Sequence, residues 1–341
     1  MTTTLPYVTV ILPIRNEAFY ISQSLGAILR QDYPKEKLEI IVADGMSSDK
    51  TRELIAQLLF DHPEIVAKVV DNPEIAVPSG FNTALSLARG EVIVRVDGHC
   101  VIQPDYLKRC VDLLCTTGAD NVGGIQNAIG HSNIGRAIAK ATSAKFGVGG
   151  ARFHYATAGC WTDTVFLGAY KRSVFDRLGG FDIEMACNED DEFNFRLVQN
   201  GGKIWLAPEL RTTYYVRSTW SKLFRQYFRY GFYKVLVIQK RHGVASWRHL
   251  IPGLFVLFLC CSLVLGMVSG NLLLAFSILV PYLIVNTVVS ALFFRNNLGQ
   301  LLYLITAFCL LHMSYGIGFD LGLLYWPWKK LNCGFRKSIS F

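Results

Sequence analysis

The sequence predicts an α/β fold with a mostly parallel sheet covered by helices on both faces, followed by C-terminal transmembrane helices. Three observations lead to this prediction. Short apolar runs alternate with segments of helical periodicity early in the chain, two apolar stretches of about 20 residues follow later, and the charges divide sharply between the two parts. At 341 residues the chain is long enough for an α/β domain and a second region.

Four short runs rich in β-branched residues are the predicted strands, at residues 7–14, 38–43, 66–70 and 91–96. The segments of helical periodicity lie between and after them, at residues 18–31, 49–61, 80–89 and 104–117. This repetition favours a parallel sheet that is covered on both faces. In such sheets, ligands bind beyond the carboxyl ends of the strands, near the point where the strand order reverses.

Polar residues follow the predicted strands at that edge. Asn16 and Glu17 follow the first strand, and Asp44 ends the second, where its carboxylate could accept an N–H group of a nucleotide base. Asp97 and His99 end the fourth strand and carry side chains that bind metals, although a polar turn in which His99 only packs is an alternative. No GxGxxG motif follows the first strand and no GxxxxGK[ST] motif occurs, so the glycine loops of dinucleotide-binding and P-loop proteins are lacking.

The charges separate the chain into an acidic and a basic part. Residues 1–219 carry 25 of the 26 acidic residues and 22 of the 34 Lys and Arg, a net charge of about −3. The remaining residues carry 12 cations and a single acid, Asp320, a net charge of about +11. These cations flank long apolar runs, which favours a membrane over a nucleic acid as the partner.

Residues 250–294 contain no charged side chain, and each half of this stretch has about 20 residues, the length that crosses a bilayer. Two transmembrane helices are therefore predicted, with a buried core hairpin as the alternative. A third apolar run, 301–326, contains Asp320 and several glycines, and it could be a full span, a broken helix or a re-entrant segment. With three spans, the basic residues after position 326 would lie outside, against the positive-inside rule.

The N-terminus lacks the charged and apolar regions of a cleavable signal peptide, so we expect the first domain to face the cytoplasm. The nine cysteines form no CxxC pair, which argues against a disulfide framework or a zinc ribbon.

The stretch CNEDDEFNFRL, residues 187–197, contains four consecutive acids. One interpretation is an acidic first turn of a helix, stabilised by the helix dipole. The preceding turn, LGGFD at 178–182, is rich in glycine and would bring the backbone close to a ligand. A carboxylate with like charges beside it has a raised pKa and is a candidate general base.

Residues 220–249 contain no acid, and their seven cations are interleaved with aromatic side chains. A basic and aromatic segment directly before a membrane span is expected to lie in the membrane interface, attracted by anionic headgroups. Some of these cations could also hold a phosphate or diphosphate; the alternative is that they serve only as an anchor.

Six stretches together resemble the family 2 glycosyltransferases of GT-A fold, over roughly residues 5–235. In the family's order they are VILPIRNEA, IIVADGMSSDKT, LARGEVIVRVDGHC, TVFLGAYKRSVFDRLGGFD, NEDDEFNFRL and RQYFRYG. The chain is most similar to the bacterial enzymes of the succinoglycan type, which build exopolysaccharide on a polyprenyl-diphosphate carrier.

The resemblance implies a nucleotide-sugar site, in which Asp44 would recognise uracil and which is lined by Pro13, Arg15, Asn16, Glu17, Asp44, Arg95 and Asp97. Asp97 and His99 occupy the two acidic positions of the family's DxD motif, which holds a divalent metal on the diphosphate. Histidine at the second position is a departure from the family pattern. It retains a metal but favours Mn²⁺ over Mg²⁺.

The resemblance also implies the catalytic and acceptor residues. Asp190 matches the catalytic base and Glu189 the acid before it. Gln226, Arg229 and Tyr230 match the QxxRW motif at the acceptor or its diphosphate, with Tyr230 in place of tryptophan. This substitution weakens the prediction that the residue stacks on the acceptor.

The sequence therefore predicts a membrane-anchored inverting hexosyltransferase of exopolysaccharide biosynthesis, with a divalent metal as cofactor. Its expected partners are a nucleotide sugar such as UDP-glucose, a polyprenyl-diphosphate-linked saccharide and membrane lipids, without nucleic acid. The expected regions are a cytoplasmic GT-A domain at 1–219, an interfacial segment at 220–249, two or three transmembrane helices at 250–326 and a basic tail at 327–341, in a bacterial inner membrane. The alternatives are a polyprenyl-phosphate sugar synthase and a non-catalytic, membrane-tethered nucleotide-sugar sensor; a metal-dependent phosphohydrolase and a processive synthase are more distant ones.

Overall fold

A computed structural model describes residues 5–244, 246–294 and 297–338, with side chains as far as Trp328. Most of the predicted basic tail at 327–341 thus lies outside the residues whose side chains are described. The chain forms two compact units. The first comprises residues up to Ala128 together with Ala151–Tyr215, and the second comprises Ile129–Gly150 together with the chain from Val216 onward.

The described residues contain nine strands, which are β1 (Val8–Ile14), β2 (Leu38–Asp44), β3 (Val66–Asp71), β4 (Val92–Arg95), β5 (Cys100–Ile102), β6 (Asn121–Ile129), β7 (Cys160–Thr162), β8 (Phe166–Lys171) and β9 (Ile204–Tyr215). They form one sheet in the order β3-β2-β1-β4-β8-β6-β9-β5, with β7 paired to β9. The first four strands are parallel and correspond to the four predicted strands. Antiparallel pairing begins at β8, which lies beside β4.

The helices, numbered along the whole chain, are α1 (Ile21–Leu29), α2 (Thr51–Phe60), α3 (Val77–Leu87), α4 (Tyr106–Thr116), α5 (Asn133–Ser143), α6 (Lys145–Val148), α7 (Arg172–Leu178), α8 (Glu189–Gln199), α9 (Trp220–Arg241), α10 (Ile251–Ser269), α11 (Leu272–Phe276), α12 (Leu279–Phe294) and α13 (Leu298–Ser338). Helices α1 to α4, α7 and α8 belong to the first unit, and the others belong to the second.

The central strands place the predicted ligand-binding loops at one edge of the sheet. Every residue of β1 and β2 is buried, as expected for parallel strands that are covered on both faces. The register pairs Ile14 with Asp44 and Ile11 with Arg95. Because these strands are parallel, the loops that follow β1, β2 and β4 emerge on the same side.

A buried aromatic cluster fixes α8 against the sheet. The ring of Phe181 stacks on Phe81 at 4.1 Å between centroids, and Phe175 stacks on Phe193 of α8 at 4.8 Å. Tyr170 of β8 makes an edge contact with Phe193. Aromatic pairs of this kind stabilise beyond their buried area, so the acidic N-terminus of α8 starts from a rigid base.

In the second unit, α9 and α13 run side by side in the same direction. Trp220 packs against Tyr303 near the start of both helices, and the indole Nε1 of Trp326 donates a 2.9 Å hydrogen bond to the carbonyl of Phe232 further along. A Cβ atom at Gly318 would lie 2.1 Å from the carbonyl oxygen of Phe228. Glycine therefore permits close backbone contact here, as in tightly packed membrane helices.

The third apolar run forms part of one continuous helix, α13, so its glycines do not break it. Three helical stretches within the described residues are long and apolar enough to cross a membrane: Trp247–Ser269, Leu272–Phe294 and Leu298–Trp328. This agrees with the two predicted spans, and by length and composition it adds the third run as a candidate.

The structure assigns residues 129–150 to the second unit, whereas the sequence analysis placed them inside the first domain. The physical reason is their packing on α13. Asn133 accepts a 2.9 Å hydrogen bond from Gln300, and Phe146 packs edge-on against Phe308. The carbonyl of Phe146 also contacts the Nε2 atom of His312 at 2.8 Å.

Candidate active site

The loop after β1 is tied to the loop after β2. The backbone N–H of Asn16 donates to the hydroxyl of Ser47, and the side-chain oxygen of Asn16 accepts from the N–H of Ser48, both at 2.8 Å. Asn16 has a φ of 53°, a conformation that asparagine tolerates better than most residues. Of the other predicted nucleotide-binding residues, Arg15 is exposed beside it and Pro13 is buried within β1.

Asp44 lies at the carboxyl end of β2, as predicted, but its side chain is completely buried. Its carboxylate accepts hydrogen bonds from the N–H and hydroxyl of Ser47 and from the Nε atom of Arg52. In this structure Asp44 thus closes its own loop, and its recognition of uracil stays a prediction. Arg52, which also pairs with Asp71, was not singled out by the sequence because the contact joins separate elements.

Two apolar residues near these loops are exposed and have positive φ angles, which the sequence does not predict. Met46 and Ile75 are 45% and 42% exposed and have φ angles of 57° and 64°. A β-branched residue such as Ile75 rarely adopts a positive φ, so propensity gives no signal for this conformation.

Asp97 and His99 lie in the turn between β4 and β5, as the sequence indicated. The Nε atom of Arg95 lies 2.9 Å from Oδ1 of Asp97, and the Nδ1 atom of His99 lies 2.9 Å from Oε1 of Glu17. The hydroxyl of Ser24, on α1, donates a 3.1 Å hydrogen bond to the backbone carbonyl of Asp97. The turn is therefore held from both the sheet and the first helix.

The acid cluster begins α8, and Arg95 connects it to the turn after β4. The Nη1 atom of Arg95 lies 2.9 Å from Oε1 of Glu189 and 3.9 Å from Oδ2 of Asp190. Asn188, directly before the helix, adopts a left-handed conformation with a φ of 62°. One largely buried cation thus faces Asp97, predicted to bind the metal, and Glu189 and Asp190, predicted to be catalytic.

Glu189 and Asp190 differ in access to solvent. The side chain of Glu189 is 8% exposed and that of Asp190 is 44% exposed. Burial, together with the nearby charge of Asp190 and against the attraction of Arg95, raises the pKa of Glu189 to about 7. The pKa of Asp190 is also raised, first by desolvation and then by Asp191 and Asp97, while Arg95 opposes the shift.

Other features of the acidic stretch have structural roles. Glu192 is completely buried and pairs with Arg196, whose guanidinium also donates to the carbonyls of Leu178 and Gly180. A Cβ atom at Gly180 would lie 2.3 Å from the amide oxygen of Asn82. The glycine of the LGGFD turn is thus required by packing against Asn82, whereas the sequence analysis interpreted the turn as an approach to a ligand.

Gln226, Arg229 and Tyr230 lie on α9, in the second unit. The side-chain amide of Gln226 donates a 2.8 Å hydrogen bond to the hydroxyl of Tyr230, one helical turn away. The acceptor-binding roles of these residues stay predictions.

Within the described part of the chain, no group of three or more His, Cys, Asp or Glu side chains is arranged to hold a metal ion by itself. Asp97 and His99 provide two donors, one oxygen and one nitrogen. A metal at this turn would need its remaining ligands from a substrate and from water, as is common for cations that bind with phosphates.

The mixed sheet, with carboxylates gathered beyond the carboxyl ends of its parallel strands, is the fold of a GT-A glycosyltransferase. The family model described as Glycosyl transferase family 2 matches residues 9–179, just over half of the chain. The chain belongs to this family and is a glycosyltransferase, which confirms the resemblance found in the sequence.

Two relatives match along most of the chain. It is 28% identical over 333 residues to the succinoglycan biosynthesis protein ExoA of Rhizobium meliloti, covering 97% of this chain and 96% of that protein. It is 31% identical over 267 residues to the dolichyl N-acetyl-α-D-glucosaminyl phosphate 3-β-D-2,3-diacetamido-2,3-dideoxy-β-D-glucuronosyltransferase of Methanococcus voltae, covering 76% of this chain and 82% of that protein.

Among solved structures, the chain is similar to the mannosyltransferase PcManGT from Pyrobaculum calidifontis, whose structure contains GDP-Man and Mn²⁺. The TM-score is 0.62 at 24% identity, with 89% of this chain and 86% of that chain covered. This likeness concerns the fold, and it confirms the predicted GT-A architecture.

Proposed function

We propose that this chain is a membrane-anchored, metal-dependent inverting glycosyltransferase that transfers a hexose from a UDP-sugar to a polyprenyl-diphosphate-linked saccharide during surface polysaccharide synthesis. One observation carries the proposal. Arg95 lies 2.9 to 3.9 Å from Asp97, which we assign to the donor, and from Glu189 and Asp190, which we assign to the acceptor. Sugar transfer requires that the carboxylate that binds the donor and the carboxylate that activates the acceptor lie close together. Carboxylates of both kinds lie within 4 Å of Arg95.

The names of the relatives support this substrate class. One relative is named for succinoglycan biosynthesis, and the other for transfer to a sugar that is linked to dolichyl phosphate. Both names indicate synthesis of a polysaccharide or glycan, the second on a lipid carrier. We infer a lipid-linked saccharide as the acceptor of this chain as well, with the catalytic domain at the cytoplasmic face of the inner membrane and the apolar helices after residue 250 as its anchor.

The donor side consists of the loops that follow β1, β2 and β4. The exposed guanidinium of Arg15 is available for the donor phosphates, and the cross-tied loops of Asn16 and Ser47 give the nucleotide a preformed surface. Preformed loops lose little conformational entropy when a ligand binds.

The residues of the β4–β5 turn fit a divalent metal. Asp97 offers a carboxylate and His99 an imidazole, a donor set that suits Mn²⁺ better than Mg²⁺. When bound there, the metal would neutralise charge on the diphosphate that leaves the sugar.

Asp190 acts as the general base in this proposal. Its carboxylate removes the proton of the acceptor hydroxyl, whose oxygen forms a bond to the anomeric carbon while the bond to the nucleotide diphosphate breaks on the opposite face. The configuration is therefore inverted. Asp190 is accessible at 44% exposure, and its raised pKa makes it a stronger base, whereas Glu189 is enclosed.

On α9, Arg229 would pair with the acceptor's diphosphate, because a guanidinium donates to phosphate oxygens in a forked geometry. The hydrogen bond between Gln226 and Tyr230 would fix the side chains that flank it.

The substitution Asp190→Asn tests the proposed base. We expect transfer to a saccharide acceptor to fall by at least about 100-fold while nucleotide binding persists, since only proton removal is lost. Asp191→Asn is the matched control: it removes the adjacent acid from the same helical turn and lowers the pKa of Asp190, but it leaves the base in place and should retain most of the activity.

An acceptor that is itself a lipid phosphate needs no base. If Asp190→Asn retains transfer, and polyprenyl phosphate alone serves as the acceptor, the chain is a polyprenyl-phosphate sugar synthase and the assignment of Asp190 is wrong.

A further inference from the structure

We propose that Glu17 is a positioning residue of the metal site: its carboxylate binds the Nδ1–H of His99 and so presents Nε2 to the metal. This inference rests on the proposed function, in which Asp97 and His99 hold the ion. It gives Glu17 a different task from the nucleotide contact that the family resemblance implies.

The contact between the two side chains is short and shielded. Oε1 of Glu17 lies 2.9 Å from Nδ1 of His99, and the two side chains are only 16% and 14% exposed. A carboxylate can only accept a hydrogen bond, so Nδ1 is the donor in this contact, and in the neutral imidazole that a metal binds the lone pair is then on Nε2. Histidines that bind metals usually donate their other ring N–H to such a partner, which sets the tautomer and ring orientation.

Glu17 is itself held in place by its backbone. Its N–H donates a 2.8 Å hydrogen bond to the hydroxyl of Thr51, and its carbonyl accepts from Tyr20 and Ile21 at 2.9 and 2.8 Å. The backbone of Glu17 is thus fixed between α2 and the start of α1, and this fixes the position from which its side chain extends.

The glycine between the two metal-binding positions leaves room for Glu17. A Cβ atom at Gly98 would lie 2.8 Å from Cγ of Glu17 and 2.9 Å from Cγ2 of Ile14. A side chain at position 98 would therefore require Glu17 or Ile14 to move. The DGH turn and Glu17 therefore form one packed assembly.

The histidine also contacts the end of β9. The ring of Tyr214 lies 5.2 Å from the imidazole, centroid to centroid, and the N–H of Tyr215 donates to the carbonyl of His99 at 3.3 Å. The contact with Glu17 and the packing of Tyr214 together restrict rotation of the ring.

The contact with Glu17 favours histidine over aspartate at position 99. An aspartate at position 99, as in the family's DxD motif, would place a second carboxylate near that of Glu17, and like charges at this separation repel. The histidine instead supplies the donor that Glu17 needs. We infer that Glu17 and His99 act as a matched pair, so the effect of changing one depends on the other.

The test is the affinity of the full-length, detergent-solubilised chain for Mn²⁺, measured from the electron paramagnetic resonance of free Mn²⁺ with UDP or GDP present. We expect Glu17→Ala to weaken Mn²⁺ binding by about 10- to 100-fold, the range seen when such outer partners are removed. Glu17→Gln should lose less Mn²⁺ affinity than Glu17→Ala, because its amide oxygen still accepts a hydrogen bond from Nδ1–H. Glu36→Ala, which removes an exposed acid before β2, is the matched control and should bind like the wild type.

The decisive comparison places Glu17→Ala in the His99→Asp background. There we expect the Mn²⁺ affinity to fall by no more than about twofold, the scatter seen for independent changes, or to rise, because the donor that Glu17 served is gone. An equal loss in both backgrounds, or no loss in either, would overturn the assignment.

Binding of UDP without metal distinguishes the two roles of Glu17. If Glu17→Ala weakens UDP binding in EDTA as strongly as it weakens Mn²⁺ binding, Glu17 contacts the nucleotide and the proposal is wrong. A wild-type chain that binds no Mn²⁺ with either nucleotide overturns the metal dependence of the proposed function, and this inference with it. A wild type that binds Mn²⁺ no better than Glu17→Ala overturns this inference alone.

Discussion

At the scale of single residues, Arg95 organises the site. One guanidinium, 11% exposed, lies among the carboxylates of Asp97, Glu189 and Asp190. Three buried or half-buried acids around one cation leave an excess of negative charge, and such a charge is expensive in a protein interior. The raised pKa of Glu189 means that a proton can offset it, and a metal ion on Asp97 would offset it as well.

This excess charge predicts a pH-dependent gain in stability from Glu189→Gln. The pKa of Glu189 is raised in the folded chain from 4.5 to about 7, so the folded state binds the proton more tightly than the unfolded state. Glu189 therefore destabilises the fold progressively as pH rises from about 4.5 through 7. We expect the melting temperature of Glu189→Gln to exceed that of the wild type at pH 8, with a smaller difference at pH 5.

The control for this prediction is Glu36→Gln, an exposed acid for which we expect no comparable trend between the two pH values. A melting-temperature difference for Glu189→Gln that is constant with pH, or largest at pH 5, would show that Glu189 is ionised in the folded chain at acidic pH.

At the residue scale, the sequence indicates candidate site residues but not the side chains that they contact. Asp97, His99 and Asp190 are candidates from the sequence because they stand at strand or helix ends in recognisable motifs, and their roles stay predictions. The contact of Glu17 with His99 joins positions 82 residues apart, and the ion pairs of Arg95 with the α8 acids span a similar separation. Such contacts depend on the sheet register, which no local pattern contains.

At the scale of secondary structure elements, glycines set how closely the helices of the second unit pack. A Cβ atom at Gly231 would lie 2.0 Å from the carbonyl of Tyr315, and one at Gly318 would lie 2.1 Å from the carbonyl of Phe228. Both distances are too short for any side chain, and the obstacle is backbone in each case. The glycines of α13 therefore serve packing and do not interrupt the helix.

We predict that Gly318→Ala destabilises the chain by about 1 to 3 kcal/mol, because α9 and α13 must separate to accommodate the methyl group. The measurement is the melting temperature in detergent. Gly299→Ala is the matched control on the same helix, since the nearest atom to its Cβ is 3.6 Å away. Alanine there should be neutral or slightly stabilising, as expected for a helical site without steric conflict. Equal melting temperatures for the two variants would mean that α9 and α13 are not in backbone contact.

The elements that could be predicted were those with strong local patterns. The strands β1 to β4 are short apolar runs, buried or nearly so except at the edge strand β3, and the apolar stretches after residue 250 are long enough to be recognised as candidate spans. Strands β5 and β7 have three residues each, and β6 contains Gly123 and Gly124, so their pattern is too short or too irregular to detect. Their pairing is specified by contacts distant in sequence.

At the scale of the whole molecule, the units are not continuous in sequence. Residues 129–150 contribute α5 and α6 to the second unit, although they lie between strands of the catalytic sheet in the chain. The charge distribution predicts a single boundary near residue 219, because it compares two contiguous parts of the chain. It cannot assign an internal segment such as 129–150 to the second unit. The assignment of these residues follows from the packing of Phe146 and Asn133 on α13.

The proposed function requires that the chain transfers a sugar to a lipid-linked acceptor. The most direct test incubates the purified chain with Mn²⁺, a membrane lipid extract and one labelled nucleotide sugar at a time, and then measures the label in the organic phase. We predict that one donor labels the lipid fraction, with Mn²⁺ but not with EDTA, and that mild acid releases the label as a saccharide. If nucleotide sugars bind but all label stays in the aqueous phase, with an extract that contains a competent acceptor, the chain does not transfer sugar to a lipid-linked acceptor.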